Sequence, residues 1–352
     1  MVVQSFSHYG TNVGVRAMKF GIFDSVDLGA GGAGDVLAGR LRFAAEAECL
    51  GVDHYHVTEH HGTPLSVCPS PNLLLAALSQ RTERMRLGAL VNVLPAHDVF
   101  RLAEEVAVLD QLTGGRLDLG VGSGVSPYEL GIFGVEAGQA KAIYAEALEA
   151  LTGALSTGRM RHEGRLLRSY DAELSVLPVQ RPHPPLWYAS SNTATAEWAG
   201  RNGVNFVGRW NGGSGAEAVR AYWEAWHAAG ARGPRPCVGI AATVVIAPSR
   251  EQALDVFGRA YGVFFERLTR LWHHHGDYRP DRAFDPGRLL VSGGALVGTA
   301  ESVREEMVHQ AEASGVNYFE LALYFGDQTF DEAAHTLRAV MEQIAPALRA
   351  RD

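Results

Sequence analysis

Two hydrophobic rhythms alternate along the chain. Short runs rich in β-branched, aromatic and Leu residues give way to longer stretches where apolar positions recur every three or four residues. The first run is 19–23, and a Gly-rich loop from Gly29 to Gly34 separates it from a helical stretch at 35–50. The order then repeats: strand 53–57 and helix 71–81, strand 86–93 and helix 99–112, strand 116–122 and helix 138–155, strand 185–190 and helix 193–201. It continues with strand 204–208 and helix 216–229, strand 238–247 and a long helix from 250, then strand 316–325 and helix 331–349. Leu102, Val106 and Leu109 share one face of the third helix, and Gly114-Gly115 stops it.

Eight such units predict a (β/α)8 TIM barrel. A doubly wound sheet needs fewer strands or a clear second domain, and no Pro/Ser linker divides the chain. Two stretches interrupt the rhythm. Residues 159–180 read as a hairpin or extended excursion, and residues 267–294, with aromatic residues and His, as a lid after unit seven. Residues 1–17 are polar and read as a flexible N-terminal extension ahead of a single barrel domain, 18–352.

Composition narrows the class. Apolar residues make up 47% and charged residues 20% of 352, the balance of a water-soluble enzyme with a large core. The formal charge of −8 argues against nucleic acid or an anionic membrane as partner, but leaves a local phosphate pocket open. Cys49, Cys68 and Cys237 lie far apart without a CxxC, which fits a reducing cytoplasm better than a disulfide framework or zinc knuckle. No apolar run is long enough for a bilayer, and no signal peptide is evident.

Candidate chemistry clusters at predicted strand ends, where barrel active sites sit. Glu59-His60-His61 closes the second strand. His is the usual proton carrier near neutral pH, and either His equally suits a capping or core role. Neighbouring residues of a strand point to opposite sides, so the pair is a poor chelate and no metal is expected. Gly120-Val121-Gly122-Ser123-Gly124 permits close approach of a flat ligand or a phosphate, or makes a tight turn. It lacks the directly following helix of a dinucleotide fingerprint. Ser190-Ser191-Asn192-Thr193 leads into a helix, so it offers either a phosphate site or a plain N-cap. Val91-Asn92-Val93 on the third strand is placed to wall a flat aromatic ligand, and Arg101 to pair with Glu104 or Glu105. His273-His274-His275 diverge on a helix and read as a lid segment rather than a metal site.

These motifs together resemble a known family. Leu87-Gly88-Ala89 through Leu94-Pro95, then Arg101 to Arg116 ending in LDQLTGGR, is similar to the most specific block of bacterial luciferase-like, flavin-dependent monooxygenases. Glu59-His60-His61 matches the acid–His–His run of the luciferase α subunit, and the likeness runs from Met18 to the C-terminus. The resemblance implies flavin at the C-terminal mouth of the barrel, with His60 as the catalytic imidazole and Glu59 orienting it. It implies a non-prolyl cis peptide at Ala89-Leu90, a phosphate held by Ser190, Ser191 and Thr195, and Trp210 beside the ring system. Ala89, Leu90, Asn92, Gly122 and Ser123 fall on the remaining flavin wall. Gly122 and Ser123 replace the reactive Cys and phosphate-binding Arg of luciferase, so the phosphate needs another cation such as Arg209, and light emission is not expected.

The resulting expectation is a two-component monooxygenase, homodimeric and cytoplasmic. It takes reduced flavin mononucleotide (FMN) from a separate reductase and uses O2 to oxygenate a small, partly apolar aldehyde, ketone or polyketide-like molecule. The alternatives are a deazaflavin (F420)-dependent oxidoreductase on the same fold, and a non-catalytic flavin-binding subunit.

Overall fold

The computed structural model describes residues 18–29, 31–210 and 214–350. The proposed extension, 1–17, lies outside the described residues. Strand β1 (Lys19–Asp24) is followed by α1 (Ala33–Cys49), β2 (His54–Val57), α2 (Pro71–Ser79), β3 (Arg86–Val93) and α3 (Val99–Leu112). Then come β4 (Leu117–Gly122), α4 (Pro127–Ile132), α5 (Ala140–Thr157), and an antiparallel hairpin of β5 (Arg159–His162) and β6 (Tyr170–Glu173). The chain returns through β7 (Leu186–Ala189), α6 (Thr193–Asn202), β8 (Asn205–Arg209), α7 (Ser214–Ala228), β9 (Val238–Ile246) and α8 (Arg250–His274). It closes with α9 (Arg279–Phe284), α10 (Pro286–Ser292), β10 (Ala295–Gly298), α11 (Ala300–Ser314), β11 (Tyr318–Ala322), α12 (Phe330–Ala339) and α13 (Ala345–Arg349).

Eight parallel strands, β1, β2, β3, β4, β7, β8, β9 and β11, close on themselves through β8–β9 pairing, giving the (β/α)8 barrel read from the sequence. β9 is long enough to serve three partners. Its first residues pair with β8 and β11, and Thr243–Ile246 carry β10 as a ninth strand outside the ring. Helix ends follow local chemistry: Asp98, Ser249 and Thr299 cap α3, α8 and α11, and left-handed glycines 158, 203 and 315 end α5, α6 and α11.

Three expectations are corrected. The segment 267–294 is not a lid throughout, because α8 runs to His274 and the excursion is the helix pair α9 and α10. The single closing helix at 331–349 is α12, a wider π-turn over Val340–Ile344, and α13. Pro346 lacks the amide an uninterrupted α-turn would use there. The non-prolyl cis peptide lies between Leu90 and Val91, one bond later than expected.

The barrel interior is unusually polar. His54, His56, Asp118, Trp187, Tyr318 and Glu320 are all buried and come from four strands, β2, β4, β7 and β11. Room for them comes from glycines on neighbouring strands. A Cβ at Gly21 would collide with the Tyr318 hydroxyl, and one at Gly239 would sit 2.5 Å from Tyr318 Cδ1. Large side chains therefore fill the space that small ones leave, which keeps the interior packed.

Candidate functional site

Two adjoining cavities lie at the C-terminal ends of the strands and share Phe23, His60, Val125 and Ala189 as walls. The first, about 230 Å³, is bounded by Thr58–His61, Leu90, Val91, Gly122–Ser126 and Tyr188. The second, about 330 Å³, is lined by Phe23, Tyr261, Phe264, Phe284, Leu289 and Phe325, with Arg209 and Glu320 among its polar groups. Leu90 and Val91, joined by the cis bond, both reach the first cavity although they are neighbours in sequence.

His60 is at the junction. Its Nδ1 lies 3.3 Å from Glu129 Oε2, and that same oxygen accepts the His61 amide at 2.9 Å. Glu129 stands on α4, whose first turn is set by Pro127 and by Ser126 Oγ accepting the Glu129 amide at 3.3 Å. The carboxylate thus fixes both the ring and the backbone at the end of β2.

Glu59 does not orient His60, contrary to expectation. Its buried carboxylate accepts from His61 Nε2 at 2.8 Å, from His97 Nε2 at 2.9 Å and from the Val93 amide at 2.9 Å. Burial pushes Glu59 up, but these donors outweigh it and hold the group below the usual carboxylate range. The bond from Glu59 raises the His97 pKa against its burial. Glu59 therefore braces the end of β2 against the end of β3. Alternation explains the split, since successive residues leaving a strand diverge.

Four further predicted positions are sorted by burial and contact. Gly122 and Ser123 line the first cavity, and a Cβ at Gly122 would stand 2.5 Å from Val91 Cγ2. Ala89 and Asn92 do not line it. Ala89 is in the core, and buried Asn92 donates from Nδ2 to the Gly120 carbonyl at 3.1 Å, tying β3 to β4 where their register shifts.

The predicted phosphate stretch is at the N-terminus of α6. Ser190 Oγ takes the Asn192 amide at 3.1 Å, and Asn192 Oδ1 takes the Thr195 amide at 3.1 Å. The amides of Thr193 and Ala194 have no partner within the helix. Ser191 faces a groove of about 930 Å³ that Arg209, Arg279, Arg282 and Arg288 also line. Arg279 is committed to Asp277 by bonds of 2.5–3.0 Å. Arg209 lies over the Phe284 ring at 4.3 Å and also walls the second cavity. Arginines from β8, α9 and α10 thus border the same groove as Ser191. Trp210 departs from expectation: it lines neither mouth cavity and instead borders a separate groove of about 730 Å³ with Glu217 and Glu306.

His273 and His275 fasten the end of α8. His273 Nε2 is 2.7 Å from Asp281, and His275 stacks on Tyr128 of α4 at 4.1 Å.

Below the cavities runs a buried ionic chain. Asp118 takes His54 Nδ1 at 2.7 Å, Arg86 Nε at 2.7 Å and His56 Nε2 at 3.4 Å. His56 Nδ1 meets Glu320 Oε2 at 3.0 Å. Burial opposes charge on His56, but Glu320 and Asp118 on either side push it up to about 9, so both ring nitrogens act as donors. Burial dominates at His54 and lowers it. Burial also disfavours the Asp118 anion, yet His54, His56 and Arg86 hold it well below the usual range. Ligand atoms of His54, His56 and Asp118 lie within 4.8 Å of one another, but these contacts already engage them as a hydrogen-bonded chain.

The donor set fits FMN. Hydroxyls, unpaired helix amides and arginines suit a phosphate ester, and the slot against Leu90, Val91 and Gly122 suits a flat ring.

Comparison with known proteins agrees with this geometry. The profile of a family described as luciferase-like monooxygenase matches residues 18–318. A Sinorhizobium fredii protein, y4wF, is 33% identical over 335 residues, 93% of this chain and 96% of its own. The oxygenase component of the flavin-dependent trigonelline monooxygenase of Acinetobacter baylyi is 32% identical over 149 residues, 42% of this chain and 41% of its own. The crystal structure of monooxygenase RslO1 from Streptomyces bottropensis superposes with a TM-score of 0.83 at 26% identity, covering 94% of this chain and 99% of that one.

Proposed function

The chain belongs to the luciferase-like monooxygenase family, and from that premise we propose that it is the oxygenase of a two-component, FMN-dependent system. The observation that carries this reading is the His60–Glu129 pair at the wall common to the two cavities. When bound, reduced FMN supplies the electrons and the reactivity toward O2 that place one oxygen atom in an organic substrate. The chain's own residues do the rest. Ser190, Ser191, the N-terminus of α6 and the groove arginines hold the phosphate. Leu90, Val91, Gly122 and Ser123 bound the ring slot. His60 holds or passes a proton at Nε2 while Glu129 fixes Nδ1, the usual division between an acid–base imidazole and its orienting carboxylate. Glu59, His61 and His97 keep the two strand ends in place. The aromatic wall of the second cavity excludes water from the substrate.

A separate reductase supplies the reduced cofactor, a reading supported by the trigonelline relative being an oxygenase component. The same reading puts the protein in the cytoplasm as a homodimer. No helix among the described residues is long and apolar enough to cross a membrane.

The test is oxidation of reduced FMN in air with and without the protein, measuring hydrogen peroxide and incorporation of label from 18O2 into an added substrate. Slower cofactor oxidation and labelled product are expected. Failure to bind reduced FMN rejects the reading, and preferential binding of reduced F420 in competition replaces it with the deazaflavin alternative.

A further inference from the structure

The polar groups of the second cavity differ in what they already hold. Glu320 is sealed beneath it, with Oε2 taken by His56 Nδ1 at 3.0 Å and by the Tyr318 hydroxyl. Tyr261 donates its hydroxyl to the Phe284 carbonyl at 3.0 Å, and Tyr324 lies with its ring under Arg40. Ser25 and Thr243 are uncommitted. Strand alternation brings them to the mouth, four residues beyond Gly21 and Gly239, which face inward against Tyr318. Neither hydroxyl has a partner among the described residues, and neither oxygen is sealed from the cavity. Arg209 ends β8 in register with Ala241, two residues before Thr243 on β9. Its Nη1 donates to the Ala283 carbonyl at 3.3 Å and its guanidinium lies over the Phe284 ring, leaving most of its five N–H groups unused. No carboxylate pairs with it among the described residues, and burial disfavours its charge. A half-buried cation without a counter-ion is costly, and an incoming anion relieves that cost.

The geometry points to Arg209, with the Ser25 and Thr243 hydroxyls, as the anchor for an anionic oxygen of the substrate, and so to a largely apolar, ring-bearing carboxylic acid as the substrate class. This rests on the oxygenase reading for the identity of the neighbouring slot, and it narrows the substrate range that reading leaves open. It also divides the arginines. Arg282 and Arg288 border the groove alone and are left to the cofactor phosphate, whereas Arg209 borders the chamber as well and is its one arginine. The planar fork of a guanidinium matches the two oxygens of a carboxylate. A neutral aldehyde or ketone would accept from the hydroxyls but leave the cation without a counter-charge. Phe264, Phe284 and Phe325 offer faces and edges to the ring.

The matched probes are 2-naphthoate and 2-naphthamide, which share a ring system and a planar substituent and differ in charge. Each is titrated into the full chain at neutral pH in the presence of FMN. Wild type is expected to bind naphthoate at least about tenfold more tightly, the scale of a charge-assisted pair, and Arg209→Gln to reduce that ratio to about threefold or less. The same variant should leave the ratio of FMN to riboflavin affinity unchanged, because the phosphate is held by other arginines. Ala241→Leu, which fills the chamber beside Arg209, is expected to weaken both probes. Equal affinity of wild type for the two probes, or binding of neither, overturns the inference and needs no variant to fold. A naphthoate preference that survives Arg209→Gln overturns it too, and a fall in the FMN-to-riboflavin ratio in its place assigns the guanidinium to the phosphate. FMN binding, followed separately by flavin fluorescence, distinguishes this failure from failure of the oxygenase reading. Flavin bound with no carboxylate preference rejects the Arg209 anchor alone, whereas carboxylate preference without flavin binding rejects the oxygenase reading alone.

Discussion

His60 Nδ1 and Glu129 Oε2 lie 3.3 Å apart although 69 positions separate them. With Nδ1 engaged, Nε2 is the nitrogen left for a reacting group. His60→Ala is expected to keep FMN affinity within about threefold, while product per cofactor oxidised falls roughly 100-fold and hydrogen peroxide takes its place, the scale of a lost acid–base group. Glu129→Gln, which keeps the shape and loses the charge, should fall between. Peroxide and product yields per turnover measure both, and unchanged coupling in His60→Ala removes this residue from the chemistry.

The arginine groove predicts a phosphate-specific effect. Replacing Arg282 and Arg288 by Ala should weaken FMN by roughly 10- to 100-fold, as charge-assisted hydrogen bonds are worth about 1.5–3 kcal/mol. Riboflavin, which lacks the phosphate, should lose almost nothing. Parallel fluorescence titrations of the two flavins give the comparison.

Two glycines on β4 should respond differently to Ala. At Gly122 the new methyl meets a side chain, Val91 Cγ2, at 2.5 Å, at the wall of the ring slot. Flavin affinity is expected to drop while the fold survives, with an overpacking cost of about 1–3 kcal/mol. At Gly120 the methyl runs into the backbone carbonyl of Ala89, which cannot rotate away. Gly120→Ala should therefore cost at least about 3 kcal/mol in a urea unfolding series and depress expression.

The His56 chain predicts a pH signature in stability. Its imidazole rises from 6.5 to about 9 on folding, so the native state binds that proton more tightly than the unfolded chain. The stabilisation is fully present below about pH 6.5, declines across the window up to about 9, and is gone above it. Its size is about 3 kcal/mol at about 1.4 kcal/mol per unit. Urea midpoints between pH 6 and 10 should fall more steeply in wild type than in His56→Asn. Parallel slopes would place the proton elsewhere.

The barrel was legible because its strands and helices have distinct hydrophobic periods, and 86–93 and 99–112 coincide with β3 and α3. β10 and α11 were not recognised, because Ala295–Gly298 is four residues long and α11 is mostly polar. At the site, the Glu59-His60-His61 run was visible, but its partners were not. Strand alternation sends Glu59 and His60 to different neighbours, and the neighbour of His60 is supplied by α4, a six-residue helix too short to show a period. The Ser126-Pro127-Tyr128-Glu129 pattern, a Ser followed three residues later by Glu, was the available signal. The groove arginines sit in a different part of the sequence, so proximity of Ser191 to Arg282 and Arg288 could come only from the closed barrel.

α9 and α10 also border two separate spaces. Arg282 and Arg288 look onto the groove, Phe284 closes the chamber, and Leu289 borders both. A shift of this helix pair would therefore be felt in the groove and in the chamber at once.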